Sequence, residues 1–164
     1  MLIRTAIAAA IAAVALNVQA QQAVFETKSL TPETALTAAR AALEACRKAG
    51  YQVSVAVVDR SGLPQVLLRD RYAMAHTVDI ATDKAWTAAS FKIPSGALAA
   101  ETQAGKPMSG LRNHARVMAV AGAQVIEAAG STLGAIGVSG AAGGDADDAC
   151  ARAGIKAIAD ALEF

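Results

Sequence analysis

Residues 53–62 read Val53-Ser54-Val55-Ala56-Val57-Val58-Asp59-Arg60-Ser61-Gly62, and this stretch decides the fold. Val53, Val55 and Val57 alternate with Ser54, Ala56 and Val58, and β-branched residues dominate. That pattern is a strand, buried on one face and nearly so on the other. Asp59 to Gly62 is a turn with a glycine at its tight point. Leu63 to Arg69 reads as a second strand, so the two runs form a hairpin and begin an antiparallel sheet.

Upstream, Thr31-Pro32-Glu33 opens a helix with a capping hydroxyl, a proline at the first helical position and an early acid. Leu36, Ala39, Leu43 and Cys46 recur at helical spacing, and Lys48 and Gly50 end the run. Downstream, Asp79 to Phe91 predicts a helix, and Pro94 starts a short one through about Gln103. Val117 to Ile126 and Leu133 to Ser139 predict a third and fourth strand. A glycine-rich loop, Gly140 to Gly144, leads into a closing helix from Asp145 to Leu162. The order α-β-β-α-α-β-β-α makes a single α+β domain, an antiparallel sheet with packed helices.

The chain has 164 residues, 54% hydrophobic, with 15 basic and 14 acidic side chains. Apolar surface on that scale excludes intrinsic disorder. The charge balance argues against a nucleic-acid binder, which needs a basic excess. Aromatic residues are 4% of the chain, too few for a stacking platform. The alanine and glycine content implies thin helices packed close to the sheet.

Residues 1–20 read as a signal peptide: Arg4, an apolar run from Ala6 to Leu16, then Val18-Gln19-Ala20 before Gln21. The run falls short of the roughly 20 residues that span a bilayer. The expected mature domain, 21–164, then carries no net charge, because Arg4 accounts for the whole +1. A periplasmic or secreted protein, off the membrane after cleavage, is expected. Cys46 and Cys150 would meet an oxidising compartment. They are either a disulfide between the first and last helices or two buried small apolar residues. Neither a Cys-x-x-Cys nor a Cys-x-x-Cys-His is present, which argues against a dithiol enzyme and a thioether-linked haem.

Three places carry candidate chemistry. The segment Gly137 to Gly144 passes from strand to helix and offers free amides, but it lacks a P-loop ending, and Asp145, Asp147 and Asp148 oppose a phosphate. Its plainer reading is a tight connection, with a small polar ligand near Gly137, Ser139 and Gly140 left open. In the second cluster, Asp79 and Asp83 share one helix face, and Lys84 stands among alanines. Lys84 is either a snorkelling stem or a buried cation with a partner; Asp79 is the partner considered. The third is the pair of histidines. His76 follows Met74 in a loop before a helix, and His114 has Met118 four residues on. A neutral imidazole ligates iron and methionine serves as a second axial ligand; the plainer reading is an ordinary surface histidine.

Val53-Ser54-Val55-Ala56-Val57-Val58-Asp59, then Asp79-Ile80-Ala81 with Lys84-Ala85 and Thr87-Ala88, then Gly134-Ala135-Ile136-Gly137-Val138-Ser139-Gly140 together resemble the GlcG/HbpS-type haem-binding family. The likeness runs over about residues 30–163. It implies a compact α+β domain, homo-oligomers and, in some exported members, haem binding with haem degradation or redox sensing. A related domain is fused to corrinoid adenosyltransferases, and other members are encoded with glycolate-type oxidation pathways. One departure is Val120-Ala121-Gly122-Ala123-Gln124-Val125, where many members carry a glycine-glycine-x-proline element.

Three functions follow as expectations. The first is an exported haem-binding protein for carriage, storage or degradation, with His76 as iron ligand, His114 second, and Lys84, Arg112 and Arg116 facing the propionates. The second is a binder or enzyme of a small organic acid using Lys84, Asp79, Gly137, Ser139 and Gly140. The third is an accessory subunit of a periplasmic oxidation pathway.

Overall fold

The computed structural model describes residues 24–163, so the expected signal segment lies outside the described residues. Helix α1 (Pro32–Lys48) begins where Thr31 Oγ1 accepts the Thr34 amide at 3.2 Å, with Pro32 at the start and Glu33 in the first turn. Arg47 and Lys48 in the last turn complement the helix dipole. Its buried face is a row of small residues, Ala35, Ala38, Ala39, Ala42, Leu43 and Cys46. Leu36, expected in that stripe, is only half-buried.

Strands β1 (Ser54–Asp59) and β2 (Pro64–Arg69) form the expected hairpin. Asp59 Oδ1 closes the turn by accepting the amides of Ser61 at 2.8 Å and Leu63 at 2.9 Å. Gly62 sits at φ +80, and a Cβ there would lie 2.7 Å from Trp86 Cδ1. Helix α2 (His76–Phe91) and helix α3 (Ser95–Glu101) follow, then a 3-10 turn at Ser109–Asn113. Strands β3 (Ala123–Ala128) and β4 (Ser131–Ser139) lead into helix α4 (Gly144–Lys156) and a 3-10 turn at Ala159–Leu162.

The sheet order is β2-β1-β4-β3, antiparallel throughout. On one face Val55, Val57, Ile136 and Val138 meet α1 and α4. On the other, Ala56, Val58 and Ala135 meet Ala81, Ala85 and Ala88 of α2. Small residues bring α2 so close that a Cβ on Gly137 would overlap the Ala81 carbonyl. The sequence expectation for this α+β architecture holds, element for element.

Three boundaries differ by three residues or more. Strand β3 starts at Ala123 rather than Val117, because the preceding segment is tied to α2: the Met118 amide donates to Thr87 Oγ1 at 2.9 Å. Gly122, at φ +130, then breaks the extended run. Helix α2 starts three residues before Asp79, so His76 is its first residue rather than part of a loop. The helix is anchored there by Thr77 Oγ1, which pairs with Met74 O at 2.6 Å and with Ser54 Oγ at 2.8 Å. Helix α4 ends at Lys156, where the chain turns to bury Ile158. The 3-10 turn at Ser109–Asn113 was no part of the sequence expectation.

Two tethers act over long range. Cys46 of α1 and Cys150 of α4, 104 positions apart in the sequence, form a disulfide with a Cα separation of 5.5 Å. Removing it with a Cys46→Ala, Cys150→Ala pair is expected to cost about 3–5 kcal/mol, since a loop that long adds much entropy to the unfolded chain; urea unfolding measures it. Arg47 holds Asp70 in a two-pronged ion pair, at 2.7 and 2.8 Å. That guanidinium, aided by the Arg71 amide, holds the buried Asp70 carboxyl below its usual range against the opposing effect of burial. A carboxyl lowered on folding stabilises the protein above its unfolded pKa of about 4 and ceases to do so as pH falls through the folded value. Asp70→Asn should therefore lower stability at neutral pH and flatten its decline below roughly pH 5, as read from unfolding curves across that range.

Candidate functional site

The glycine-rich loop after β4 and the segment before β3 form two walls of one cavity. It holds about 590 Å³ and is closed on a third side by α3 and on its rim by Arg112. Ala99, Ala119, Ala121, Ala142 and Ala146 give it an apolar lining, and Gly143 and Gly144 bring bare backbone to its surface. Its polar side chains are Gln103, Arg112 and Asp145. Arg112 is oriented by main-chain carbonyls: its Nε donates to Thr102 O at 2.7 Å, and one terminal nitrogen donates to Ala99 O at 3.1 Å.

Two adjacent aspartates of α4 fasten these walls. Asp147 Oδ1 accepts the Ala141 amide at 3.0 Å. Asp148 Oδ1 accepts the Gly122 amide at 2.8 Å and Gln124 Nε2 at 2.9 Å. Behind them lies Lys84, 2% exposed, whose Nζ contacts Asp147 Oδ2 at 2.8 Å and Val138 O at 3.1 Å. The pair thus joins α2 to α4, helices on opposite faces of the sheet. Gly122 makes room for it, since a Cβ there would lie 2.6 Å from Lys84 Nζ.

The partner of Lys84 is therefore Asp147 and not Asp79, which corrects the pairing considered from sequence. Asp79 stands exposed in the first turn of α2, where its charge suits the helix dipole. Gly137 lies under α2, and Ser139 is buried at the end of β4. Gly140, at φ +124, is pressed against Gln52 and Val53. None of these five lines the cavity; of the sequence candidates, Arg112 and the Gly143–Gly144 end of the glycine-rich loop do.

The two histidines stand apart from the cavity as well. His114 stacks on Trp86, ring centroids 5.4 Å apart and planes 7° from parallel. Its Nδ1 accepts the Arg116 amide at 3.3 Å, so the neutral ring carries its proton on Nε2. Arg116 lies over the same indole at 4.8 Å and pairs with Asp83 at 3.1 Å. His76 is exposed, its ring without a hydrogen bond or ion pair among the described residues. Exposed apolar side chains neighbour it in the chain: Tyr72 at 75% and Met74 at 66%. No group of three His, Cys, Asp or Glu among the described residues could hold a metal ion, and no described helix is long and apolar enough to cross a membrane.

Sequence reading missed the fastening roles of Asp147 and Asp148, taken as acids that oppose a phosphate, and the alanine walls. The signal within reach was Gly122, a lone glycine in an apolar run.

Breaking the buried pair on one side is expected to cost about 3–5 kcal/mol, because it leaves a charge in the interior unpaired. Lys84→Met and Asp147→Leu should each show that loss in urea unfolding, while the two together should cost less than either alone.

Comparison with known proteins places this geometry. A family model described as haem degrading protein HbpS-like matches residues 30–156. A crystal structure of a double mutant of HbpS from Streptomyces reticuli is 39% identical, with a TM-score of 0.78 over 82% of this chain and 90% of that one. The crystal structure of a PduOC:heme complex is 29% identical, with a TM-score of 0.76 over 79% of this chain and 95% of that one. Among curated proteins, the corrinoid adenosyltransferase PduO of Salmonella typhimurium is 31% identical over 103 residues, which are 62% of this chain. The chain spans about a third of the length of that relative, with 31% of it covered.

Proposed function

The chain belongs to the HbpS-like family, and from that premise we propose that it binds haem in the cavity between the glycine-rich loop and α3. The observation that carries the reading is the match of the family model over residues 30–156, a family described as haem-degrading. A solved relative of 29% identity was crystallised with haem, which supports it. The cavity fits the macrocycle: about 590 Å³, lined by alanines, is within the range of cofactor pockets. Arg112 at the rim fits a propionate, because two of its nitrogens are already fixed by carbonyls and the fork is held in place. The cavity does not fit the iron. Its lining offers no histidine, methionine, cysteine or tyrosine, the side chains that commonly ligate haem iron.

Within this reading the protein carries, stores or degrades haem outside the cytoplasm. The signal-like residues 1–20 support export, and so does the disulfide, a bond that persists in oxidising compartments. A second reading, a small organic acid in the same cavity, is favoured by Arg112, which has no carboxylate partner among the described residues.

Hemin titration of residues 21–164 tests both. Haem binding predicts a saturable Soret shift, with affinity about 10-fold weaker in Arg112→Ala from the loss of one charge-assisted contact. A shift that grows without saturation overturns it. Thermal stabilisation by hydroxy or keto acids that Arg112→Ala abolishes, with no Soret response, establishes the second reading instead.

A further inference from the structure

The cavity carries two charges of opposite sign that do not meet each other. Arg112 and Asp145 both line it. Neither belongs to an ion pair among the described residues, so a gap wider than an ion pair separates them. They stand on different walls. Arg112 lies against the end of α3, tied to the carbonyls of Thr102 and Ala99. Asp145 stands in the first turn of α4, where the helix dipole favours its charge, and its carboxylate accepts no hydrogen bond among the described residues.

The ties of Arg112 are one-sided. Carbonyls take Nε and one hydrogen of a terminal nitrogen, and the other terminal nitrogen keeps both of its hydrogens unengaged. Gln103 stands beside it, with Nε2 donating to the same Ala99 carbonyl at 3.0 Å, which leaves its amide oxygen as an acceptor at the cavity. The rest of the lining is alanine, valine and glycine. Ala121 is wedged between the two charged walls: a Cβ on Gly96 of α3 would lie 2.9 Å from its methyl, and one on Gly144 of α4 2.7 Å. Contact of small residues, and no salt bridge, therefore sets the distance from wall to wall. Arg112 could reach across to Asp145 only by giving up its carbonyls. A plain carboxylate in this cavity would be repelled by Asp145, and a plain cation by Arg112. A molecule that carries both charges satisfies both walls.

We propose that the cavity binds a small zwitterion with an apolar side chain, of the kind that a free α-amino acid or a short apolar peptide supplies. Its carboxylate takes the open edge of the Arg112 guanidinium, its ammonium takes Asp145, and its aliphatic part lies over the alanines. The inference deepens the second reading above, a small organic acid in this cavity, and rests on it.

Calorimetric titration of the protein, produced from the full chain, tests it with four related ligands. Leucine and alanyl-leucine carry both charges, 4-methylpentanoate is leucine without its ammonium, and isopentylamine is leucine without its carboxylate. One of the zwitterions is expected to bind at least about 10-fold more tightly than either singly charged ligand, the scale of one charge-assisted contact. The tighter of the two names the source. Asp145→Asn should bring that zwitterion down to the affinity of 4-methylpentanoate and leave 4-methylpentanoate no weaker, a change of selectivity that a residue serving only the helix start would not produce. Arg112→Gln should weaken both. Circular dichroism and urea unfolding show that each variant keeps its fold; where one does not, the ligand series on the wild type decides by itself. Binding of 4-methylpentanoate as tight as that of the zwitterions, or an Asp145→Asn that leaves their affinity unchanged, overturns the inference and leaves the organic-acid reading standing. No binding of either zwitterion at millimolar concentration also overturns it, and if 4-methylpentanoate gives no response either, the organic-acid reading falls with it.

Discussion

An ammonium group held away from water governs the arrangement of this molecule. Lys84 leaves α2, runs beside the last residues of β4 and meets Asp147 in the first turn of α4. A charge so placed is tolerable only with its counter-charge in contact. The contact therefore fixes the distance between two helices that lie on opposite faces of the sheet. It also excludes any side chain at position 122, where even a methyl would meet the ammonium. Position 122 thus stays bare, its amide donates to Asp148, and the segment before β3 is drawn to the start of α4. Both walls of the cavity are consequences of that one pair and its neighbour.

The cavity has the character that this origin gives it. Close approach of helices and loops through glycine and alanine leaves short side chains at the surface of the hollow, so its shape is set by backbone. Backbone walls suit a flat, apolar guest, and they supply few donors of their own. Arg112 adds one charge at the rim, where its fork is steadied by the carbonyls at the end of α3.

Much of the fold is legible in the sequence because its decisive signals are local. The alternation in Val53 to Val58, the Asp59–Gly62 turn and the Thr31-Pro32-Glu33 start each rest on neighbours in the chain, and each is where the structure has it. The apolar run from Val117 looks like strand because hydropathy does not record that Thr87 captures the Met118 amide. Lys84 was legible as an oddity, a cation among alanines. Its partner was not, since 63 residues separate it from Asp147 and Asp79 is nearer in the chain. The cavity was hidden for a related reason: alanine and glycine carry no chemical label, and only their convergence makes a site. Arg112 and the end of the glycine-rich loop are the candidates from sequence that stand at this hollow.

The disulfide has a topological consequence as well. With Cys46 bonded to Cys150, most of the domain is a covalent ring, with α1 up to Cys46 and the end of α4 outside it. Every strand, α2, α3 and the exposed stretch around Gly105 and Lys106 belong to the ring. A single peptide-bond cut at that stretch opens the ring without dividing the molecule, and β1, β2, β3 and β4 keep their hydrogen-bonded neighbours. The closure thus gives the protein a tolerance of cleavage in that exposed loop, and the walls of the cavity stay joined after the cut.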